Sequence, residues 1–306
     1  MRISQVLAKY WLFRGRDFSP HTRRDYTLTF DRLVEFMRDC EFSWVTSTDV
    51  SRFLNWLQDE YGVTDKTLSN VWAALSSLWT WAELELRTPH VIRGRVRQPR
   101  FHSVSPDSFT QEEIAAMVAA SPFTAEWTGR AGGVAKSPNP FAERDRAIIL
   151  TLADTGARAQ ELCDFIIEDY DRVRKRLYIR HGKGGKGRYV VVGVRTRDAI
   201  NHYLETREKA QSNEPLFATK TNRHISRENL RRKLKRIGDN AGVYHVFPHR
   251  FRHTFAIQFL RNGGNLFVLK ELLGHSQLDM VLRYARIADQ DIAKAVEYSP
   301  IDGWEI

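Results

Sequence analysis

The sequence predicts a mainly α-helical protein of two domains, the second of which contains a small antiparallel β-sheet. Apolar residues recur at three- and four-residue spacing, the period of an amphipathic helix, in several parts of the chain. One stretch, residues 177–192, carries a strong β-strand signal on both sides of a glycine-rich turn. A basic segment without a period separates the two helical regions. We therefore expect domains at residues 1–86 and 109–306, joined by a linker at 87–108.

Residues 1–86 are predicted to form a helical bundle. Ser19 followed by Pro20 is typical of a helix start, with serine as the N-cap and proline in the first helical position. Further helices are expected after Thr48 and after Thr64. Each helix carries an aliphatic and aromatic stripe, which we interpret as the bundle core. The stripes are Tyr26, Phe30, Leu33 and Met37; Val50, Phe53, Leu54 and Leu57; and Leu68, Val71, Trp72, Leu75 and Trp79.

The segment 87–108 combines many arginines with prolines and a single acidic residue, Asp107. Such a segment is either a solvated tether or a basic strap along phosphate groups. The near absence of acids favours the strap, and DNA contacts are expected from its arginines after residue 90. The arginines of the segment are Arg87, Arg93, Arg95, Arg97 and Arg100.

The second domain is predicted to begin with a helix, because Thr110 and Glu113 fit a capping box. Residues 122–140 are rich in glycine, proline and serine, and we expect them to form a long loop. A helix is expected at about 143–154. The hairpin follows, and residues 165–167 are a candidate third strand for its sheet.

A helix capped by Ser226 is predicted to have an apolar inner face and a basic outer face. The inner residues are Leu230, Leu234 and Ile237, and the outer residues are Arg231, Arg232, Lys235 and Arg236. A basic helix face is either solvated or lies against DNA phosphates, and both interpretations stay open.

The composition favours an acidic partner. The formal net charge is +10, from 47 basic and 37 acidic residues, and most of the excess lies in residues 109–306. Charge alone supports a basic protein without a polyanionic partner nearly as well. Cys40 and Cys163 form no spaced cluster, which argues against a disulfide framework and a zinc site and favours a reducing cytosol. Lys9 and Arg14 interrupt the first apolar stretch, so we expect neither a signal peptide nor a membrane span.

Five residues have the chemistry to cleave a phosphodiester without a metal. This reaction needs a nucleophile, positive charge at the non-bridging oxygens and a proton for the leaving oxygen. Arginine forks hold phosphate oxygens, histidine or lysine moves protons, and tyrosine can act as a covalent nucleophile. Two arginines together can supply the electrostatic stabilisation that a metal would give. The candidates are Arg158, His249, Arg252, His275 and Tyr284.

The spacing of these residues is compatible with helices. Each arginine shares a helix face with a residue three positions away; the pairs are Arg158 with Glu161 and His249 with Arg252. Gly274 is expected to end one helix, which puts His275 at the N-terminus of the next, where an anion is stabilised. Tyr284 follows two turns later. Taken singly, each residue also fits an ordinary structural role, and Tyr284 alone fits a helix core.

The order of the motifs resembles the tyrosine recombinases, also called phage-type integrases, in a Xer-like two-domain arrangement. The Thr-Gly-Leu-Arg-x-x-Glu-Leu motif of that family is matched at residues 155–162, with Ala157 in place of leucine. Its His-x-Leu-Arg-His box is matched at residues 249–253, with Phe251 in place of leucine. Both departures are apolar and lie between the residues that carry the chemistry.

Two further motifs complete the resemblance, which extends over most of the chain. Leu-Gly-His followed by a tyrosine nine residues later is matched at residues 273–284. The Gly-Lys-Gly-x-Lys turn of the family is matched in the predicted hairpin by Lys183, with Lys186 as its rival. The resemblance implies a SAM-like core-binding domain at residues 1–86 and a catalytic domain at 109–306.

The resemblance also implies the reaction. Tyr284 would attack the scissile phosphate and leave a 3′-phosphotyrosine and a free 5′-hydroxyl, while Arg158 and Arg252 hold the non-bridging oxygens. Lys183 would protonate the leaving 5′-oxygen. His249 would accept the tyrosine proton.

Two residues would have supporting roles, and the reaction would need no cofactor. His275 would hydrogen-bond the phosphate. Glu161 would orient the site, by pairing with a catalytic arginine or histidine. The exchange is isoenergetic, so neither ATP nor a metal is expected.

The expected partner is double-stranded DNA with an inverted-repeat core site. The family works as a homotetramer on two DNA sites, and we expect a monomer or dimer before assembly. The tail at residues 285–306 would dock on a neighbouring protomer, or else pack on its own. Because its expected partner is DNA, we expect the protein to be cytoplasmic and associated with the nucleoid.

Two other functions remain open from the sequence. One is a type IB topoisomerase-like or hairpin-resolving nicking enzyme, which shares the chemistry. The other is a DNA-binding regulator that has lost catalysis, although the complete set of catalytic residue types argues against it. Within the recombinases, the sequence does not separate the integrase of a mobile element from a chromosome-dimer resolvase.

Overall fold

The computed structural model divides the chain into two compact units, Met1–Val104 and Ser105–Ile306. It describes residues 1–101, 108–128, 134–180, 187–207, 209–274, 281, 282 and 284. The predicted fold class is confirmed, because the first unit is a helical bundle and the second is mainly helical with small antiparallel sheets. No helix within the described ranges has the length and apolar composition needed to cross a membrane.

Four helices form the first unit, and polar caps fix where they begin. They are α1 (Ile3–Arg14), α2 (Pro20–Met37), α3 (Ser47–Tyr61) and α4 (Asp65–Glu85), with a short 3₁₀ turn at Phe42–Trp44. The hydroxyl groups of Ser19 and Thr64 accept hydrogen bonds from backbone N–H groups of α2 and α4, as predicted. Helix α3 begins two residues earlier than predicted, because Thr46 and not Thr48 is its cap.

The core of the bundle consists of the predicted stripes together with one face of α1. Tyr10, Phe30, Phe53 and Trp79 are fully buried and make several edge-on or stacked ring contacts with other aromatic side chains. Burying each of these rings stabilises the unit by roughly 2–3 kcal/mol. The interpretation of the stripes as core is confirmed.

The first part of the basic segment 87–108 belongs to this bundle. Ile92 and Val96 are buried in its core, and the indole Nε1 of Trp72 donates to the carbonyl oxygen of Val96 at 3.1 Å. As far as Phe101 the chain is therefore attached to the first unit and does not form a solvated tether. The contact rests on two isolated apolar residues, which give no periodic signal in the sequence. The four arginines of this segment that are expected to contact DNA are all exposed to solvent: Arg93, Arg95, Arg97 and Arg100.

The second unit begins with α5 (Gln111–Ala120), whose predicted capping box is present at Thr110 and Glu113. The prediction of a long loop at residues 122–140 was wrong. Strands β1 (Phe123–Thr128) and β2 (Val134–Pro138) pair there as an antiparallel hairpin. Strand-forming residues such as Phe123 and Val134 stand among glycines and prolines, and those breakers dominate the pattern in the sequence.

A three-stranded antiparallel sheet carries the predicted hairpin. Strands β4 (Arg176–Ile179) and β5 (Arg188–Val191) pair with Ile179 opposite Arg188, and the turn between them lies outside the described residues. The third strand is β3 (Tyr170–Asp171), which pairs with β4. The third strand was predicted at residues 165–167, but β3 begins later, at Tyr170. The reason is a 3₁₀ turn, in which the Asp169 carboxylate accepts a hydrogen bond from the backbone N–H of Ile166.

Six more helices lie in the described part of the second unit. They are α6 (Ala142–Thr155), α7 (Ala159–Asp164), α8 (Val194–Glu205), α9 (Arg227–Ala241), α10 (Pro248–Arg261) and α11 (Leu266–Leu273). Ser226 caps α9, and the inner residues predicted for that helix are buried. Arg231, Arg232 and Lys235 are exposed on its outer face, as expected.

Helix α6 ends at Gly156, in a backbone conformation that only glycine adopts without strain. Its φ is +60°, and a Cβ atom added there would lie 2.5 Å from Cδ1 of Phe255. Gly242 ends α9 with φ +68°, but a Cβ added there would have no atom within 4 Å. The two glycines therefore share the same backbone strain and differ in packing.

We expect Gly156→Ala to lower the free energy of unfolding more than Gly242→Ala. The backbone strain costs about 1–3 kcal/mol at either position, and overpacking against Phe255 adds about 1–3 kcal/mol at Gly156 alone. Urea unfolding followed by circular dichroism measures both variants. Equal losses in the two variants would contradict close packing at the end of α6.

Candidate active site

The first motif folds as the end of α6, a tight turn and the start of α7. Arg158 is the N-cap of α7, and its backbone N–H donates to Oε2 of Glu161 at 2.7 Å. Nη1 of Arg158 donates to Oε1 of the same carboxylate at 2.8 Å. The side chain of Arg158 keeps 32% of its surface exposed, whereas Glu161 is buried. Glu161 thus fixes both the backbone and the guanidinium of Arg158, and leaves the arginine open to an incoming group.

Arg252 lies on α10, which begins with Pro248 in the first helical position. The residue is 1% exposed, and its Nη1 and Nη2 atoms donate to the carbonyl oxygens of Gly156 at 2.9 Å and Leu273 at 2.7 Å. Burial lowers the pKa of Arg252 to about 10, and the positive charge of Arg158 adds to the shift. The guanidinium is still charged at neutral pH, in surroundings where its interaction with an anion is strong.

The C-terminus of α11 accepts hydrogen bonds from three arginines. Successive carbonyl oxygens, of Leu272, Leu273 and Gly274, accept from Arg188 at 2.7 Å, Arg252 at 2.7 Å and Arg158 at 3.3 Å. The last carbonyls of a helix have no partner within the helix and carry its negative partial charge, so cationic groups are favourable there. One helix end therefore gathers the positive charge of the site.

Tyr284 packs beside α10, near Arg252. It is 3% exposed and belongs to an apolar cluster with Ile257, Leu269 and Val281. The phenol of Tyr284 is among the groups that influence the pKa of Arg252, so the two side chains share one electrostatic neighbourhood. Burial of the ring is what a tyrosine of the helix core would show. Its place near Arg252 is what a nucleophile would need.

A row of rings connects His249 with Tyr284. His249 is exposed in the first turn of α10, and its ring centroid lies 4.4 Å from that of His253. The His253 ring is buried and meets the Tyr284 ring edge-on, at 5.3 Å between centroids. His253 was part of the sequence motif without an assigned part in the chemistry, and its i, i+4 spacing from His249 is the signal that connects the two.

Arg188 is the residue that the sequence analysis missed. Its Nη1 and Nη2 atoms donate to Oε1 and Oε2 of Glu161, both at 2.9 Å. Burial alone would raise the pKa of Glu161, but hydrogen bonds from Arg188 and Arg158 outweigh burial and lower that pKa. The sequence offers one signal for Arg188, a cation at the first position of β5 directly after the glycine-rich turn. The family motif, however, assigns the chemistry of this region to the lysines of the turn.

Among its described residues, the site holds three guanidinium groups against one carboxylate, so it favours an anion. Lys183, Lys186 and His275 lie outside the described residues. The basic face of α9 is a separate feature, where Lys235 pairs with Asp239 at 2.8 Å and Arg232 lies 3.8 Å from Glu228.

Comparison with known proteins gives the class of this chain. The sequence profile described as "Phage integrase family" matches residues 123–291, more than half of the chain, and the profile "Phage integrase, N-terminal SAM-like domain" matches residues 10–85. The tyrosine recombinase XerA of Thermococcus kodakarensis is 31% identical over 282 residues, which are 91% of this chain and 89% of the relative.

Solved structures show the same fold. A lambda integrase dimer bound to a COC′ core site matches with a TM-score of 0.73 at 17% identity, over 95% of this chain and 98% of the other. XerH recombinase bound to a palindromic difH substrate matches with a TM-score of 0.71 at 18% identity, over 97% of this chain and 85% of the other. The chain therefore belongs to the phage integrase family, and it is a site-specific tyrosine recombinase.

We expect Glu161→Gln to destabilise the protein in a pH-dependent way. The pKa of Glu161 is lowered in the folded state. Its carboxylate therefore stabilises the fold above the unfolded pKa of about 4.3, and this stabilisation is lost as the pH falls through the folded pKa. Removing one member of such a buried charge group costs roughly 3–5 kcal/mol. The difference in unfolding free energy between the two proteins should be largest at neutral pH and shrink in acid.

Urea unfolding at a series of pH values measures this difference. Glu228→Gln is the matched control, because its ion pair with Arg232 is exposed and contributes at most about 1 kcal/mol. A loss in Glu161→Gln that is independent of pH would show that the ionised carboxylate does not hold the arginines.

Proposed function

We propose that this recombinase cleaves and rejoins DNA through a covalent bond to Tyr284. The phenol oxygen attacks the scissile phosphorus as the bond from phosphorus to the 5′-oxygen breaks, giving a 3′-phosphotyrosine and a free 5′-hydroxyl. The observation that carries the proposal is the packing of the Tyr284 ring against His253, which directly follows the buried Arg252. Arg252 in turn shares the C-terminus of α11 with Arg158. Attack by the 5′-hydroxyl of another strand reverses the step and rejoins the DNA.

Arg158 and Arg252 hold the two non-bridging oxygens of the phosphate. The negative charge on these oxygens grows in the transition state, and charged donors held in place stabilise it without reorganising. Both guanidinium groups are bound to carbonyl oxygens of the same helix end, which fixes their separation. Because the exchange conserves phosphodiester energy and the arginines supply the charge, we expect neither ATP nor a metal.

Protons move through the histidines and the hairpin lysine. His249 accepts the proton of Tyr284 as the phenol attacks, and the ring of His253 contacts both residues. Lys183, or Lys186 in its place, donates a proton to the leaving 5′-oxygen. His275 hydrogen-bonds the phosphate. These assignments follow from the family motifs and from the chemistry of each side chain.

The substrate is double-stranded DNA with an inverted-repeat core site, acted on by a homotetramer that assembles from monomers or dimers. The net charge of +10 and the exposed arginines of residues 87–101 and of α9 support binding to DNA. Lambda integrase and XerH, which share the fold, were solved on a core site and on a palindromic substrate. The tail at residues 285–306, for which docking on a neighbouring protomer and packing on its own both stay open, lies outside the described residues. We propose that the protein acts in the cytoplasm, at the nucleoid, and the choice between a mobile element and a chromosome dimer as its substrate stays open.

Covalent capture tests the nucleophile. Genomic DNA fragments are incubated with the protein and denatured, and fragments that stay bound are sequenced to map the cleavage site. A nicked duplex of that site should then trap a protein–DNA adduct with the wild type and lose it in Tyr284→Phe. Tyr244→Phe, at an exposed tyrosine, is the control and should keep the adduct.

An adduct that persists in Tyr284→Phe would remove this residue from the chemistry. Relaxation of a supercoiled plasmid that lacks the mapped site would instead favour a topoisomerase-like activity. Loss of the adduct in both tyrosine variants would point to a folding defect, which circular dichroism detects.

A further inference from the structure

We propose that Arg188 is a positioning residue of the recombination reaction. It holds the carboxylate of Glu161 in the plane that aims Arg158, and it fastens the β4–β5 hairpin to the C-terminus of α11. The inference rests on the proposed function, because Arg158 must contact the scissile phosphate for its orientation to matter. Arg188 lies outside the family motifs matched at residues 155–162, 182–186, 249–253 and 273–284.

The Arg188 side chain is nearly buried and makes three directed hydrogen bonds. It is 11% exposed, and its two Nη atoms meet both oxygens of Glu161 at 2.9 Å, the paired geometry that only a guanidinium can give. Its Nε atom donates to the carbonyl oxygen of Leu272 at 2.7 Å. The three bonds therefore connect β5 with two other parts of the site, Glu161 on α7 and the end of α11.

Glu161 is shared between two arginines in a way that gives Arg188 control of the carboxylate. Oε1 accepts from both guanidinium groups, and Oε2 accepts from the backbone N–H of Arg158 and from Arg188. The bidentate pair with Arg188 fixes the plane of the carboxylate. Without that pair, the carboxylate can rotate about its last bond, and the guanidinium of Arg158 rotates with it.

The same side chain ties the hairpin to the helix that ends at Gly274. Arg188 is the first residue of β5 and stands opposite Ile179, so it closes the strand pair at the base of the turn. A Cβ atom added to Gly274 would lie 3.0 Å from Nη1 of Arg188, and φ at Gly274 is +62°. The helix end thus leaves room for the guanidinium. The described strands of the hairpin are thereby tied to the helix end that also binds Arg158 and Arg252.

A structural salt bridge is the competing explanation, and Arg180 offers a matched control for it. Arg180 follows β4 on the other side of the same turn, and its guanidinium binds Asp169 at 2.7 Å and Glu168 at 2.5 Å. Changing it to lysine removes a comparable pair of guanidinium contacts, whereas the partners of Arg180 are Asp169 and Glu168 and not Glu161. A general weakening of the hairpin should affect both variants alike.

Single-turnover cleavage of the nicked duplex, measured beside equilibrium DNA binding, separates the two explanations. For Arg188→Lys we expect cleavage to slow by about 10–100-fold, since a misplaced group remote from the reacting atoms has an effect of this order. Binding should weaken by less than about 3-fold, because Arg188 points at Glu161 and not at DNA. Arg188→Met should slow cleavage further, and Arg180→Lys should leave it nearly unchanged.

The pH profile supplies a second readout that a purely structural role would not move. In Arg188→Met, Glu161 loses its strongest partner while its burial remains, so its pKa rises. Cleavage by this variant should therefore fall as the pH decreases from about 8 to about 5, more steeply than in the wild type. Adding Glu161→Gln to Arg188→Met should remove that extra slope.

Several outcomes would overturn the inference. The first is an Arg188→Lys protein that cleaves at the wild-type rate. The second is an equal loss of cleavage rate in the Arg188 and Arg180 variants. The third is slow cleavage in a variant that thermal unfolding shows to be partly unfolded. A wild-type protein that forms no adduct would instead refute the proposed function. If the wild type forms the adduct and Arg188→Lys forms it at the same rate, only the positioning role is refuted.

Discussion

The carboxylate of Glu161 is the negative charge around which the described part of the site is arranged. Two guanidinium groups would repel each other if they were placed side by side without it, yet Arg158 and Arg188 both bind this carboxylate at 2.8–2.9 Å. Burial opposes ionisation of Glu161, and the arginines reverse that effect. The arginines therefore keep the Glu161 carboxylate charged although it is buried.

The C-terminus of α11 extends this charge balance to Arg252. Its last carbonyls accept from three arginines that come from the start of α7, from β5 and from α10, so one helix end connects three distant parts of the chain. Glycines at the ends of α6 and α11 give the backbone the turns that bring these parts together. A phosphate entering this site meets positive charge that is already in position, and the tyrosine lies in the apolar cluster next to it.

Local signals predicted the helices well, because serine and threonine caps and apolar stripes act within a few residues. Thr64, Thr110 and Ser226 cap helices as expected. The strands at residues 123–138 were missed, because pairing between residues some ten positions apart competes with the local signal of glycine and proline. Arg188 was missed for a related reason, since no periodicity links it with Glu161, 27 positions earlier. The motifs around Arg158, Arg252 and Tyr284 could be identified in the sequence because the residues of each motif lie within one short segment.

The crystal structure of the protein trapped on its nicked substrate tests the central claim most directly. The account predicts a covalent bond between the Tyr284 phenol oxygen and the 3′-phosphate, with Arg158 and Arg252 in hydrogen-bond contact with its non-bridging oxygens. Glu161 should remain bound to both Arg158 and Arg188 in that complex. A phosphate attached to another side chain, or one that contacts neither arginine, would contradict the account.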